Sequence, residues 1–294
     1  MPGSGRYIIN SVEMAAPPLA PGLYVVSTPI GNLRDITLRA LETLAAADLV
    51  LCEDTRHSAT LLDHFGIRAE KRSLHEHNER ERAAEIAALL RDGKAIAQIS
   101  DAGTPLLSDP GFPLVRALRE EGLPVFAVPG ASALLAALAS AGLPTDRFTF
   151  IGFLPNKAGA RANALKPLAP REETLVFYES PRRLDDTLAA MAEAFGPRSA
   201  AVALELTKRF ERVFTGTLPE LAAQFANADT KGEAVILVAG AEPGAPAEAG
   251  DWQAELADAM ETQPLREAVD SITARFGLRR KDVYDAALAL RDRT

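Results

Sequence analysis

The sequence predicts two α/β domains followed by a small helical unit, and three observations carry that prediction. Strand and helix patterns alternate from Leu23 to about residue 145, which implies a mainly parallel sheet covered on both faces. From Phe148 onward strand patterns crowd together with fewer helices between them, as in a mixed α+β sheet. Past residue 263 only helical periodicity remains. At 294 residues the chain is also too long for one small core.

Residues 1–22 read as a flexible tail without the apolar stretch of a signal peptide. Leu23-Tyr-Val-Val-Ser27 is a strand by β-branched content, and Ile36, Leu38, Leu41 and Leu44 recur at helical spacing over 35–46. Leu49-Val-Leu-Cys52 is the next strand, before a helix over 54–65 closed by Gly66. A helix over 79–91 ends at Gly93, ahead of strands at 94–99 and 124–128 and a helix at 132–140. This is one domain, 23–145. In the second, 146–240, strands are expected at 148–153, 174–178, 199–204, 212–216 and 234–239, with helices at 181–195 and 218–226. An acidic linker or helix over 241–263 leads to a helix-turn-helix-like pair at 264–276 and 280–290.

Composition narrows the functional classes. With 47% hydrophobic and 24% charged residues the chain is globular, and no apolar run is long enough to span a bilayer. A single cysteine, Cys52, excludes a disulfide framework and any multi-cysteine metal site, so a cytoplasmic location is expected. The net charge of −8 argues against nucleic acid only until its distribution is read. Glu242, Glu248, Asp251, Glu255, Asp258 and Glu261 stand in 241–263 without one basic residue. Residues 154–171 carry Lys157, Arg161, Lys166 and Arg171 without one acid, so RNA remains admissible.

The loops after four strands are polar and small. Ser100-Asp-Ala-Gly-Thr-Pro-Leu-Leu-Ser-Asp-Pro-Gly111 combines two permissive glycines, two stiffening prolines and the carboxylates Asp101 and Asp109. Ligands of open α/β sheets bind outside the carboxyl ends of strands, so this loop reads as the floor of a small-molecule site. Thr28-Pro-Ile-Gly-Asn-Leu33 has only Gly31 where a dinucleotide fold carries Gly-x-Gly-x-x-Gly, and no P-loop is present. Glu53-Asp-Thr-Arg-His57 and Leu74-His-Glu-His-Asn-Glu79 are dense polar clusters that double as helix caps through Asp54 or Thr55 and through Asn78. The spacing of His75 and His77 matches no usual zinc site. Val128-Pro-Gly-Ala-Ser-Ala133 is a strand-to-helix turn suited to polar recognition.

These segments, in this order, resemble the tetrapyrrole methylase superfamily, and within it the rRNA branch of small-subunit cytidine 2′-O-methyltransferases. Gly152-Phe-Leu-Pro-x-Lys157, Tyr178-Glu-Ser-Pro181 and Glu205-Leu-Thr-Lys208 extend the resemblance, which covers the chain from Leu23 to the C-terminal helices. Arg182 departs from it, since a histidine often follows Ser-Pro there. The resemblance implies S-adenosylmethionine (SAM) folded into the cleft between the domains. Asp101, Gly103, Thr104, Ser132 and Ala133 would line it from the first domain, and Tyr178, Gly232, Glu233 and Ala234 from the second. It further implies 2′-O-methylation of cytidine 1402 in the 16S rRNA of the small ribosomal subunit, a homodimer, and no membrane partner.

Because the sulfonium methyl is already activated, alignment can supply ~7–11 kcal/mol of the barrier. A positioned base adds only about 10²–10⁴-fold, and no metal is expected. Base candidates are Glu53, Asp54, Glu179 and Lys208, the last also able to act as a cation. RNA contacts are expected from Arg56, His75, His77, Asn78, Lys157, Arg161, Arg182, Arg183 and Arg209. The rival within the superfamily is a C-methyltransferase of a corrin or porphyrin precursor. A DNA-binding regulator is the rival outside it, but Arg279-Arg-Lys281 followed by Asp282 and Asp285 makes a poor recognition helix.

Overall fold

In the computed structural model, residues 5–75, 78–228, 230–242, 252–276 and 278–291 are described. The chain opens with a hairpin, β1 (Arg6–Ile9) and β2 (Val12–Ala15), turning through Asn10 and Ser11, both at positive φ. The expected flexible tail is thereby corrected over residues 6–15, whereas residues 1–4 of that expectation lie outside the described residues. Tyr7 is only 2% exposed and packs with α1 (Leu38–Ala46), while Gly5 N–H donates to the Ala45 carbonyl and Ile8 N–H to Phe65.

The first sheet contains β3 (Gly22–Val26), β4 (Leu49–Cys52), β5 (Lys71–Ser73), β6 (Ala95–Gln98) and β7 (Val125–Val128). All are parallel, in the order β5-β4-β6-β3-β7. Side chains alternate across it. Val50 and Cys52 face the layer of α1 and α2 (Thr55–His64), whereas Leu49 and Leu51 face α3 (Glu79–Arg91) and α4 (Phe112–Glu120). Neighbours β3 and β6 send their connections to opposite sides, so the switch point lies between their carboxyl ends. The helix α5 (Ala133–Ser140) follows β7.

The second sheet contains β8 (Phe148–Phe153), β9 (Thr174–Glu179), β10 (Ser199–Leu204), β11 (Arg212–Thr217) and β12 (Ala234–Val238). Its order is β11-β10-β12-β9-β8, with β8/β9 parallel and the other pairs antiparallel. It is therefore mixed. One face carries Leu175, Phe177, Val202 and Ile236 under α7 (Leu184–Phe195) and α8 (Leu218–Phe225). The other presents Val176, Ala201, Ala203, Val235 and Leu237 to α5 and Ile30 of the first domain. An additional helix, α6 (Ala158–Leu165), lies in a segment where no helix is expected from sequence; its alanines and Gly159 hide the amphipathic period. The C-terminal unit comprises α9 (Trp252–Thr262), α10 (Leu265–Phe276) and α11 (Arg280–Arg291), which share a core of Leu256, Val269, Ile272 and Val283. The helix allowed for within 241–263 is α9, which packs into the helical unit, while residues 243–251 lie outside the described residues.

Candidate active site

The loops after β3 and β6 are stitched together at the switch point. Thr28 N–H donates to Gly103 O at 2.8 Å and Gly103 N–H to Thr28 O at 3.1 Å. Ser27 Oγ lies 2.9 Å from Thr104 Oγ1, which also donates to Ala131 O at 3.1 Å. Three loops thus share one hydroxyl. Gly103 sits at φ 80, and a Cβ there would meet Ile30 at 3.2 Å. Asp101 accepts the Asp54 amide at 3.2 Å, joining the β6 loop to the Glu53-Asp-Thr-Arg segment. Asp54 caps α2 through the Arg56 amide at 2.7 Å, and that bond holds its carboxyl below the ordinary range. Asp109, beside Ser100 and Asp101, is pushed up by burial; Ser100 opposes the rise and Asp101's charge adds to it.

The facing wall comes from the second domain. The Tyr178 hydroxyl accepts the Leu134 amide at 3.2 Å, across the domain boundary. Burial raises the Tyr178 phenol, the Leu134 amide pulls it back, and Asp109's charge contributes to the rise. Lys208 lays its stem on Gly31, where a Cβ would fall 2.5 Å from Cγ. Its Nζ donates to Glu205 Oε1 at 2.9 Å and lies 3.2 Å from Glu233 Oε2. Burial alone would lower the ammonium's pKa, but Glu205 and Glu233 outweigh it and raise it. Lys208 therefore stands as a cation. Glu205 also accepts the Glu233 amide at 2.9 Å and occupies the space a Cβ on Gly232 would take. Ala133, Glu233, Ile30, Ala203, Leu206 and Val235, from both domains, line a 20 Å³ cavity. A larger cavity of 490 Å³ lies along the outer edge of β7, near Tyr24 and Phe126, and includes none of the expected site residues.

Several expected roles are corrected. Glu179 is 3% exposed, and its oxygens accept Ser180 N–H and Thr187 Oγ1, both at 2.7 Å, beside Arg183 at 3.3 Å; a base so enclosed cannot reach a substrate hydroxyl. Arg161, 4% exposed, pairs with Asp186 at 3.4 Å and ties α6 to α7 rather than facing RNA. Arg183 binds the carbonyls of Leu154 at 2.9 Å and Pro155 at 3.2 Å, and also Asn156. It is a loop fastener. Asn78 turns back to His75 N and Ser73 O instead of capping α3. Exposed positions remain at Glu53, Arg56, Lys157, Arg182 and Arg209; His75 is half-buried and His77 lies outside the described residues. Among the described residues, no group of three or more ligating side chains is placed to hold a metal. Sequence reasoning overlooked Ile30, Ser27 and the pairing of Lys208 with Glu205 and Glu233, although Glu233 itself was expected at the cofactor. The Glu205-Leu-Thr-Lys208 spacing carried a signal for Glu205, but Glu233 comes from a distant strand end.

Residues 22–222 match the family described as Tetrapyrrole (Corrin/Porphyrin) Methylases, and residues 246–291 match the RsmI C-terminal HTH domain. Ribosomal RNA small subunit methyltransferase I of Mesorhizobium japonicum is 49% identical over 97% of this chain and 97% of its own length. The protein of the same name from Pseudomonas aeruginosa is 45% identical over 90% of this chain and 96% of its own. Among solved structures, the methyltransferase CobJ is similar in fold, with a TM-score of 0.56 at 21% identity, covering 75% of this chain and 94% of that one. Uroporphyrin-III-C-methyltransferase from Thermus thermophilus superposes with a TM-score of 0.53 at 24% identity, over 74% and 94% of the two chains. Stitched loops at a strand switch point, facing a mixed second sheet, are thus this chain's version of a known architecture, and the chain belongs to the tetrapyrrole methylase family, in its ribosomal RNA small subunit methyltransferase I branch.

Proposed function

We propose that this protein uses SAM to methylate the ribose 2′-hydroxyl of cytidine 1402 in 16S rRNA, on the assembled small subunit. The supporting observation is the cleft in which the β3 and β6 loops face Tyr178 and the Lys208–Glu205–Glu233 cluster. Gly103, Thr104, Ala133 and the Gly232–Ala234 segment are its proposed donor-side walls. Lys208, held cationic, would lower the pKa of a nearby ribose hydroxyl, so that a weak base suffices. With Glu179 enclosed and Lys208 cationic, Glu53 and Asp54 are the acceptors left among the expected bases, and the burial-raised carboxyl of Asp109 is a further one. In-line placement of oxygen, methyl carbon and sulfur supplies the larger part of the acceleration. Action as a homodimer in the cytoplasm belongs to the same reading.

The test is methyl transfer from labelled SAM to small ribosomal subunits, with nuclease mapping of the product and a parallel arm offering a porphyrin precursor. Label in a single alkali-resistant cytidine dinucleotide is expected. Label on a base, or on the porphyrin instead, would refute the ribose assignment.

A further inference from the structure

We infer that Phe153 is the platform on which an unstacked nucleobase of the RNA substrate lies, an inference that rests on the rRNA reading above. Strand β8 carries a bulge between Phe150 and Gly152, so that Phe150 pairs with Val176 but Gly152 already pairs with Phe177. In an unbroken strand, Phe153 would share the face of Ile151, which packs under the helices of the second domain. The slip of one residue transfers it to the opposite face, opposite Tyr178. There it meets Tyr178 edge-on at 5.7 Å between ring centroids and remains 57% exposed.

Two further observations place this ring at the mouth of the cleft and hold it there. Gly152 adopts φ 76, and a Cβ on it would meet Ser108 Oγ of the first-domain loop at 3.0 Å. The residue before Phe153 thus abuts the first-domain loop, and the ring itself stands against Tyr178 of the second wall. Directly after it, Leu154 is buried and Arg183 fastens the carbonyls of Leu154 and Pro155. The ring is presented by a fixed strand end, so little ordering entropy is lost when a base stacks on it. Exposed Lys157 and Arg182 flank the same fastened loop, in sequence and through Arg183 respectively. An exposed aromatic among cations is the means by which proteins hold splayed, single-stranded nucleotides.

The experiment compares Phe153→Ala, Phe153→Leu and Phe153→Trp with the wild type, measuring methyl transfer to small subunits and affinity for S-adenosylhomocysteine. For Phe153→Ala the KM for the subunit should rise by about 5- to 150-fold, the range for removing one stacking ring. Phe153→Trp should restore it, Phe153→Leu should not, and affinity for the donor product should be unchanged in all three. An unchanged KM in Phe153→Ala, or full recovery by leucine, would overturn the platform. So would a parallel fall in donor-product affinity, which would move Phe153 into the donor pocket. A wild type that labels no subunit at all would refute the rRNA reading itself, a result distinct from these.

Discussion

Lys157 and Arg161 lie one helical turn apart at the start of α6, and each carries one positive charge. Lys157 is exposed, whereas Arg161 is buried with its Nε unpartnered among the described residues and its Nη2 3.4 Å from Asp186. A buried guanidinium so poorly satisfied contributes through its stem more than through its charge. Arg161→Met should therefore stay within ~1 kcal/mol of the wild type in chemical denaturation, while Arg161→Ala should lose about 1–3 kcal/mol. Subunit binding across a salt series should be unaltered by Arg161→Met, but Lys157→Ala should shallow the log–log slope by up to about 0.7. Equal slope changes for both would return Arg161 to the RNA surface. The charges of this segment were legible in the sequence. Their burial was not, because it depends on how α6 packs against α7, and no periodicity announced α6.

A second residue-scale consequence concerns Asp109, whose carboxyl is raised chiefly by burial. A carboxyl raised in the fold favours the protonated form, so its ionisation costs stability as pH climbs from the unfolded pKa through the folded one. Asp109→Asn should accordingly stabilise the protein at neutral pH, and the gain should vanish in acid, below the ordinary carboxylate range. Thermal melts across pH would show it; a variant less stable at neutral pH would mean that the ionised carboxylate is held by donors that outweigh its burial.

Among the elements, the N-terminal hairpin shows how a short signal is missed. Tyr7-Ile-Ile-Asn-Ser-Val12 contains a two-residue turn with Asn first, a residue that tolerates positive φ, but lacks the Asn-Gly pair that makes such turns conspicuous. The parallel strands β3, β4 and β6 were readable because each is a short, mostly apolar run, with β4 and β6 buried on both faces and β3 largely so. The short polar β5 was not, since Lys71-Arg-Ser73 is a strand only by pairing with β4. The loops of the site were equally readable, as glycine, proline and carboxylates gathered at strand ends. What escaped was the register of β8, where one inserted residue decides which face an aromatic serves. Since Tyr7 is enclosed by the α1–α2 layer, Tyr7→Ala should destabilise the first domain by about 3 kcal/mol. Denaturant titration with an unchanged midpoint would show instead that the hairpin merely rests on α1.

Across the whole molecule, the two sheets are joined by an apolar seam that runs from Ile30 and α5 to Val176, Ala203 and Val235, and by polar contacts at Tyr178 and Lys208. A ligand held on both walls would have to be released before either domain unfolds, so binding should stabilise the pair as a unit. At 100 times its Kd a ligand adds ~2.7 kcal/mol, or roughly 5–10 °C in melting temperature for domains of this size. The C-terminal helices keep a core that shares no residue with that seam. A chain ending at Glu242 should therefore retain the full melting shift on adding S-adenosylhomocysteine, while losing affinity for the small subunit if α9–α11 contribute to its recognition. Scanning calorimetry of the full and shortened chains separates the two effects. A shortened chain that melts normally but no longer shifts with the ligand would mean that the helical unit closes over the cleft, and that the donor site is built from three bodies instead of two.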